Sequence, residues 1–268
     1  MRSLPLSVSL VGLSMWGAAP AGPLNDTGSD FCRNHTNNAD TAVTATITCT
    51  PMPTHGGQDA RYGRDPAAQR GVLPKVGGGS KGFDFTKIAN DGSLLPASAT
   101  PGNAATDWAC TYDNNTGLMW EVKVNDDTHL RHQGWTYTWY DSLHNYGGNP
   151  GTADTVGGGG VCATDGRCDT EQFIADVNAG AGLCGHTDWR MPTLQELYNL
   201  ADRGISSHTG NPTIDSDYFP NTPAAFFWSG SPVVTASDSA FGVLFSAAFG
   251  FWDLRSGDFP VRLVRAGL

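Results

Sequence analysis

Six cysteines behind an export-type leader constrain this chain more than any other feature. Arg2 is followed by an apolar stretch, Leu4 to Trp16, and by the small-x-small site Ala19-Pro20-Ala21. Segments of this kind are removed on export. Residues 1–21 are therefore expected to be a signal peptide, and the mature chain secreted, cell-surface or periplasmic. In those compartments an even cysteine set forms disulfides. The set is Cys32, Cys49, Cys110, Cys162, Cys168 and Cys184. Closeness in sequence favours Cys32–Cys49 as a self-contained loop and Cys162–Cys168 as a small ring, leaving Cys110–Cys184. Cys110–Cys162 with Cys168–Cys184, stapling the helix between them, stays open as the alternative. No Cys-x-x-Cys occurs, so the spacing does not point to zinc.

Thirty-four Gly and 16 Pro in 268 residues predict a loop-rich domain rather than a helix bundle. No apolar run long enough to span a membrane occurs beyond the first twenty positions, so no membrane insertion is expected. The net charge of −10 argues against nucleic acid, which needs basic patches. That charge is uneven. Residues 22–105 carry seven acids and seven bases, whereas residues 106–268 carry 19 acids and 8 bases. Glu occurs only at 121, 171 and 196, and the Asp excess reads as turns and helix caps.

Residues 22–105 show little periodicity and read as a loop-rich N-terminal extension packed onto the rest. Within it, Ala42 to Thr48 and Phe83 to Ile88 read as strands. From residue 106 the pattern sharpens into one α+β domain. Leu118 to Val124 alternates as a strand, and so does Trp135 to Tyr140. Two short helices follow. Asp169 with Gln172 caps the first, and Thr193 with Glu196 forms a capping box on the second. Short antiparallel strands are expected at 226–229, 241–246, 250–254 and 260–264. Arg262 and Arg265 are expected on a face other than that of Val261, Leu263 and the core.

The most specific segment runs from Gly185 to Leu197, Gly-His-Thr-Asp-Trp-Arg-Met-Pro-Thr-Leu-Gln-Glu-Leu. Trp189 should anchor the turn in the core. Arg190 should pair with a carboxylate or with carbonyls, Pro192 should fix the helix entry, and Thr193 and Glu196 should close the cap. With Thr116-Gly117-Leu118-Met119-Trp120, Phe227-Trp228-Ser229 and Val261-Arg262-Leu263-Val264-Arg265, this order of motifs resembles a bacterial domain family found at the C-terminus of a collagen-like adhesin, the Lcl C-terminal type. Met191 stands where that family usually has Leu. The resemblance covers about 108–267. It implies a C-type-lectin-like fold related to that of formylglycine-generating enzymes, and it implies surface recognition, including of sulfated glycans. Eight bases against 19 acids fit a neutral, cationic or calcium-bridged partner better.

A formylglycine-generating enzyme needs a cysteine pair in its C-terminal part, and no Cys follows Cys184. No Gly-x-Ser-x-Gly elbow occurs either. The expectation is thus a non-enzymatic recognition or adhesion protein that binds a glycan or a surface protein through long loops. The alternative is a self-assembling structural subunit of a filament, sheath or envelope complex. An enzyme on the same fold comes last. Trp252, Asp253 and Arg255, near a hairpin tip, are the expected ligand contacts, together with Trp228, whose stronger reading is core packing. Asp215 and Asp217, with Asp238, are the expected calcium ligands, because Asp-x-Asp supplies two oxygens from one loop. An exposed acidic turn is the competing reading for them.

Overall fold

The computed structural model describes residues 27, 31–33, 40–42, 63–144, 148–155, 159–205 and 210–268. The leader, Cys49 and most of the strand expected at 42–48 lie outside these residues. In chain order the elements are β1 Phe31–Arg33, β2 Asp40–Ala42, α1 Arg64–Gln69, β3 Phe85–Ala89, β4 Leu94–Leu95, β5 Trp108–Asp113, β6 Leu118–Glu121, α2 Thr170–Val177, α3 Leu194–Tyr198, β7 Phe226–Pro232, β8 Ser239–Leu244, β9 Phe249–Leu254 and β10 Val264–Ala266. Short helices with all-antiparallel strand pairing make this an α+β protein. Among the described residues, no helix is long and apolar enough to cross a membrane.

Apart from the small β1–β2 pair there are two sheets. One runs β10-β6-β5-β3-β4 and the other β7-β8-β9. The β5–β6 hairpin forms because Asp113 accepts the amides of Asn115 and Thr116 and Gly117 supplies a positive φ of 72°. The first sheet crosses the boundary expected at 105/106. β3 pairs with β5 from Phe85↔Asp113 to Ala89↔Trp108, so the end of the expected extension is part of the domain's sheet. A third helix, α1, also lies in that segment. Its buried Asp65 receives the Gly82 amide, a tertiary contact that local periodicity does not record.

Both sheets are covered on both faces. Met119, Phe226 and Trp228 belong to one core cluster with Tyr137, Trp139, Phe173 and Trp189. Trp120, Phe227 and Val264 belong to a second, with Phe85, Leu197, Phe219 and Val243. The segment Trp135 to Tyr140, expected as a strand, makes only isolated bridges, Tyr137↔Phe259, Thr138↔Asp169 and Tyr140↔Gly151. Its alternation still holds, since Trp135, Tyr137 and Trp139 all reach the first cluster. Disulfides Cys110–Cys184 and Cys162–Cys168 join the domain. This is the first of the two expected pairings, and Cys110–Cys162 with Cys168–Cys184 does not occur. The Cys32–Cys49 pairing lies outside the described residues.

Two-sided burial overturns one expectation. Arg262 is not on an outer face but wholly buried, stacked 5.1 Å from the Phe219 ring. It donates to the Glu121 carbonyl at 2.5 Å and to Thr222 Oγ1 at 2.7 Å. Nearby, Lys123 Nζ sits 2.7 Å from Glu121 Oε1, both fully buried, and Glu121 Oε2 accepts the Leu263 amide. Desolvation pulls Lys123 down to about 8, with Arg262 and Arg131 adding to that effect and Glu121 opposing it. Buried charges of this kind persist only when they are paired.

Candidate ligand-binding groove

The Asp-rich composition resolves into local fasteners. Asp84 accepts the Val76 and Gly77 amides, Asp154 those of Gly159 and Cys168, and Asp126 that of Thr128. Asp169 caps α2 by accepting the Gln172 amide. Two of the three expected calcium ligands, Asp215 and Asp238, are used in the same way. Asp215 is buried and accepts the Ser80 amide at 2.6 Å and the Asp217 amide at 3.0 Å. Asp238 accepts the Ser239 hydroxyl at the start of β8. Asp215, Asp217 and Asp238 do not meet as ligands: among the described residues, no three His, Cys, Asp or Glu side chains gather as a metal cluster would require.

The signature turn behaves as its residues predict. Trp189 is buried, and its indole donates to the Leu183 carbonyl. Its backbone is clasped by the Asn178 amide side chain at 2.8 and 2.9 Å. Thr193 and Glu196 complete the capping box on α3. Arg190 forms a two-pronged pair with Glu196 at 2.8 and 2.7 Å. Burial alone would raise the Glu196 carboxyl. Arg190 and the Thr193 amide outweigh it and hold the group below its usual range. Pro192 accepts the Gly230 amide at 2.7 Å, tying the turn to β7.

This turn forms one wall of a groove of about 520 Å³. Tyr140, Leu143, Ile174, Met191 and Gly230 line it, and the buried Trp139 lies beneath them. Trp139 is locked from behind: its indole donates to the Ser229 carbonyl at 2.8 Å, and Arg255 stacks 4.2 Å from its ring. The opposite wall is stitched to α2. Tyr140 and Thr170 exchange backbone–hydroxyl hydrogen bonds at 2.9 and 2.7 Å, and Ser142 donates twice to Glu171. The charges at the rim are engaged within the protein: Arg190 with Glu196, Glu171 with Ser142, and Asp141 with His144. What the groove offers a ligand is therefore a rigid, mainly apolar trough.

The four expected ligand contacts separate. Trp228 is fully buried in the first core, so it cannot touch a ligand. Arg255 is also buried, because its guanidinium supports Trp139. Trp252 is 47 % exposed on β9, beside Phe251 at 47 %, Phe249 at 55 % and Leu254 at 48 %. Asp253 accepts the following amide on the same strand. β9 is the edge of its sheet, and its apolar side chains overhang on both faces. Leu194, one residue beyond Thr193 of the groove wall, lies over Gly250 of this strand. The groove itself was missed from sequence, although its two flanking signals, the aromatic run 135–140 and the Trp-Arg-Met-Pro-Thr turn, were both legible there.

The sequence pattern that defines the Lcl C-terminal domain family matches residues 109–265. Comparison with curated proteins and with solved structures gives no match.

Proposed function

Because the chain belongs to the Lcl C-terminal domain family, we propose that it is an exported, non-enzymatic recognition or adhesion protein whose groove beside the signature turn receives a glycan or protein ligand. The α+β architecture is read, within the same proposal, as C-type-lectin-like. The observation that carries the function is the groove: apolar walls, Tyr140, Leu143, Ile174 and Met191, held by hydrogen bonds over the buried Trp139. Such a trough suits the apolar face of a sugar ring or uncharged peptide side chains. A polyanion suits it poorly. Among its described lining residues, Arg190 is already paired with Glu196 and His144 with Asp141, and the chain carries −10 overall. The two disulfides fit an oxidising, extracellular location.

The test is a glycan and peptide array probed with the mature protein, with and without calcium, beside an Ile174→Arg variant that places a charge in the trough. Binding by the native protein that the variant loses supports the reading. Absence of binding in both conditions, together with polymers in negative-stain microscopy, would replace it with the structural-subunit reading. That second reading rests on β9, where four half-exposed apolar side chains leave roughly 400 Å² of apolar surface along an open edge. Edges of this kind template pairing with another chain.

A further inference from the structure

A second pocket, of about 390 Å³, lies away from the groove and is built from four separate stretches of chain. Gly79, Ser80, Lys87, Ala97, Asp217 and Tyr218 line it. Its polar groups are unlike those of the groove, because their bonding capacity is unspent. Lys87 is only 6 % exposed yet makes no ion pair among the described residues. Its ammonium donates once, to the Ala99 carbonyl at 3.0 Å, and rests 3.7 Å from the centre of the Trp108 ring and 5.4 Å from that of Tyr218. The ammonium thus rests on aromatic faces, with the Asp217 and Asp215 carboxylates attracting it without forming an ion pair, and with donors left over. The Tyr218 hydroxyl, the Ser80 hydroxyl and the Asp217 carboxylate likewise bond to no described residue.

The site is also held in shape. Asp215 accepts the amides of both Ser80 and Asp217, so one carboxylate sets two rim residues that are 137 positions apart. The Tyr218 carbonyl takes the Thr111 hydroxyl at 2.7 Å, which ties the aromatic wall to β5. Gly78 lets Tyr218 approach, since a Cβ there would lie 2.1 Å from the phenol oxygen. Such preorganisation lowers the ordering cost of binding a small molecule.

We propose that this pocket binds a small zwitterion of the α-amino acid type, its carboxylate on Lys87 and its ammonium on Asp217, with Tyr218 and Ser80 hydrogen-bonding between them. An unpaired buried cation wants an anion. The exposed carboxylate across the pocket turns away a simple anion but not a ligand that also carries a positive group. A ligand with no net charge escapes the repulsion that a −10 chain imposes on polyanions.

The experiment titrates glycine, alanine, glutamate and lysine into the full-length mature protein, following Trp fluorescence and calorimetric heat. Acetate and methylamine serve as half-ligands and a hexuronate as the competing chemistry. The expected result is saturable amino-acid binding, at least about tenfold tighter than either half-ligand. Lys87→Met, which keeps an apolar stem in the aromatic cage, and Asp217→Asn, at an exposed position that leaves the fold intact, should each weaken it about tenfold or more. The proposal is overturned if no amino acid binds more tightly than about 10 mM, if both variants bind as the native protein does, or if the hexuronate binds and the zwitterions do not.

Discussion

Lys123 makes the fold's stability depend on pH in a direction opposite to ordinary alkaline loss. Its ammonium is fully buried and sits 2.7 Å from Glu121 and 4.8 Å from the centre of the Phe173 ring. Desolvation lowers it from 10.5 to about 8. Below pH 8 the lysine is protonated in both the native and the unfolded chain, and the native state bears the full cost of the buried charge. Between about 8 and 10.5 the native lysine has lost its proton while the unfolded one still holds it, so stability rises with pH. A shift of 10.5 to about 8 corresponds to about 3 kcal/mol across that window. Other groups titrate there too, so the quantity to measure is a difference. Urea unfolding of the native protein and of Lys123→Met, followed by Trp fluorescence at steps from pH 7.5 to 10.5, should show the native protein gaining about 3 kcal/mol relative to the variant. A difference that stays flat, or that falls with pH, refutes the account. Should Lys123→Met fail to fold because Glu121 has lost its partner, the double variant Glu121→Gln/Lys123→Met removes both charges and gives the same comparison.

The two described disulfides should differ in worth, because Cys110–Cys184 spans 74 positions and Cys162–Cys168 spans 6. Loop-closure entropy assigns them about 4.5 and about 2.4 kcal/mol, and paired Cys→Ala variants compared by urea unfolding should reproduce that order. Gly160→Ala should unfold the 136–160 crossing, since the new Cβ would lie 1.9 Å from the Thr136 carbonyl oxygen. A loss above about 3 kcal/mol is expected, and a neutral result would mean that this crossing yields easily. Thr193→Ala removes the oxygen that accepts the Glu196 amide and should cost about 1 kcal/mol while leaving the fold intact by circular dichroism. Phe251→Ser with Trp252→Ser should change stability by less than about 1 kcal/mol yet abolish any concentration-dependent association seen in light scattering; persistent association would place the self-contact elsewhere than β9.

Local chemistry was legible wherever it acts over a few residues. The caps at Asp169 and Thr193, the Asn115-containing turn and the Cys162–Cys168 ring follow from side chains a few positions apart, which no distant contact needs to supply. The anchoring of Trp189 followed as well, and so did the exposure of Trp252 near a hairpin tip. Alternation failed at Arg262, and the exposure expected of Arg255 failed as well. A period of two assigns one face to solvent only where a strand has a solvent face, and here cores lie on both sides.

The amino-acid sequence by itself determined an α+β domain with capped short helices and its family pattern, because these rest on short-range geometry and on residue order, and it left the disulfide pairing to the fold. Only the tertiary structure decided that the end of the N-terminal segment completes the main sheet, and that Asp215 ties the Ser80 and Asp217 amides together. It alone placed Arg255 behind Trp139 and brought Lys87 to Asp217 across 130 positions. Each of those outcomes depends on which distant backbone amide, ring or carbonyl a charged side chain meets once it is buried. A buried charge needs hydrogen-bonding or ring partners, and only the packed chain decides which ones.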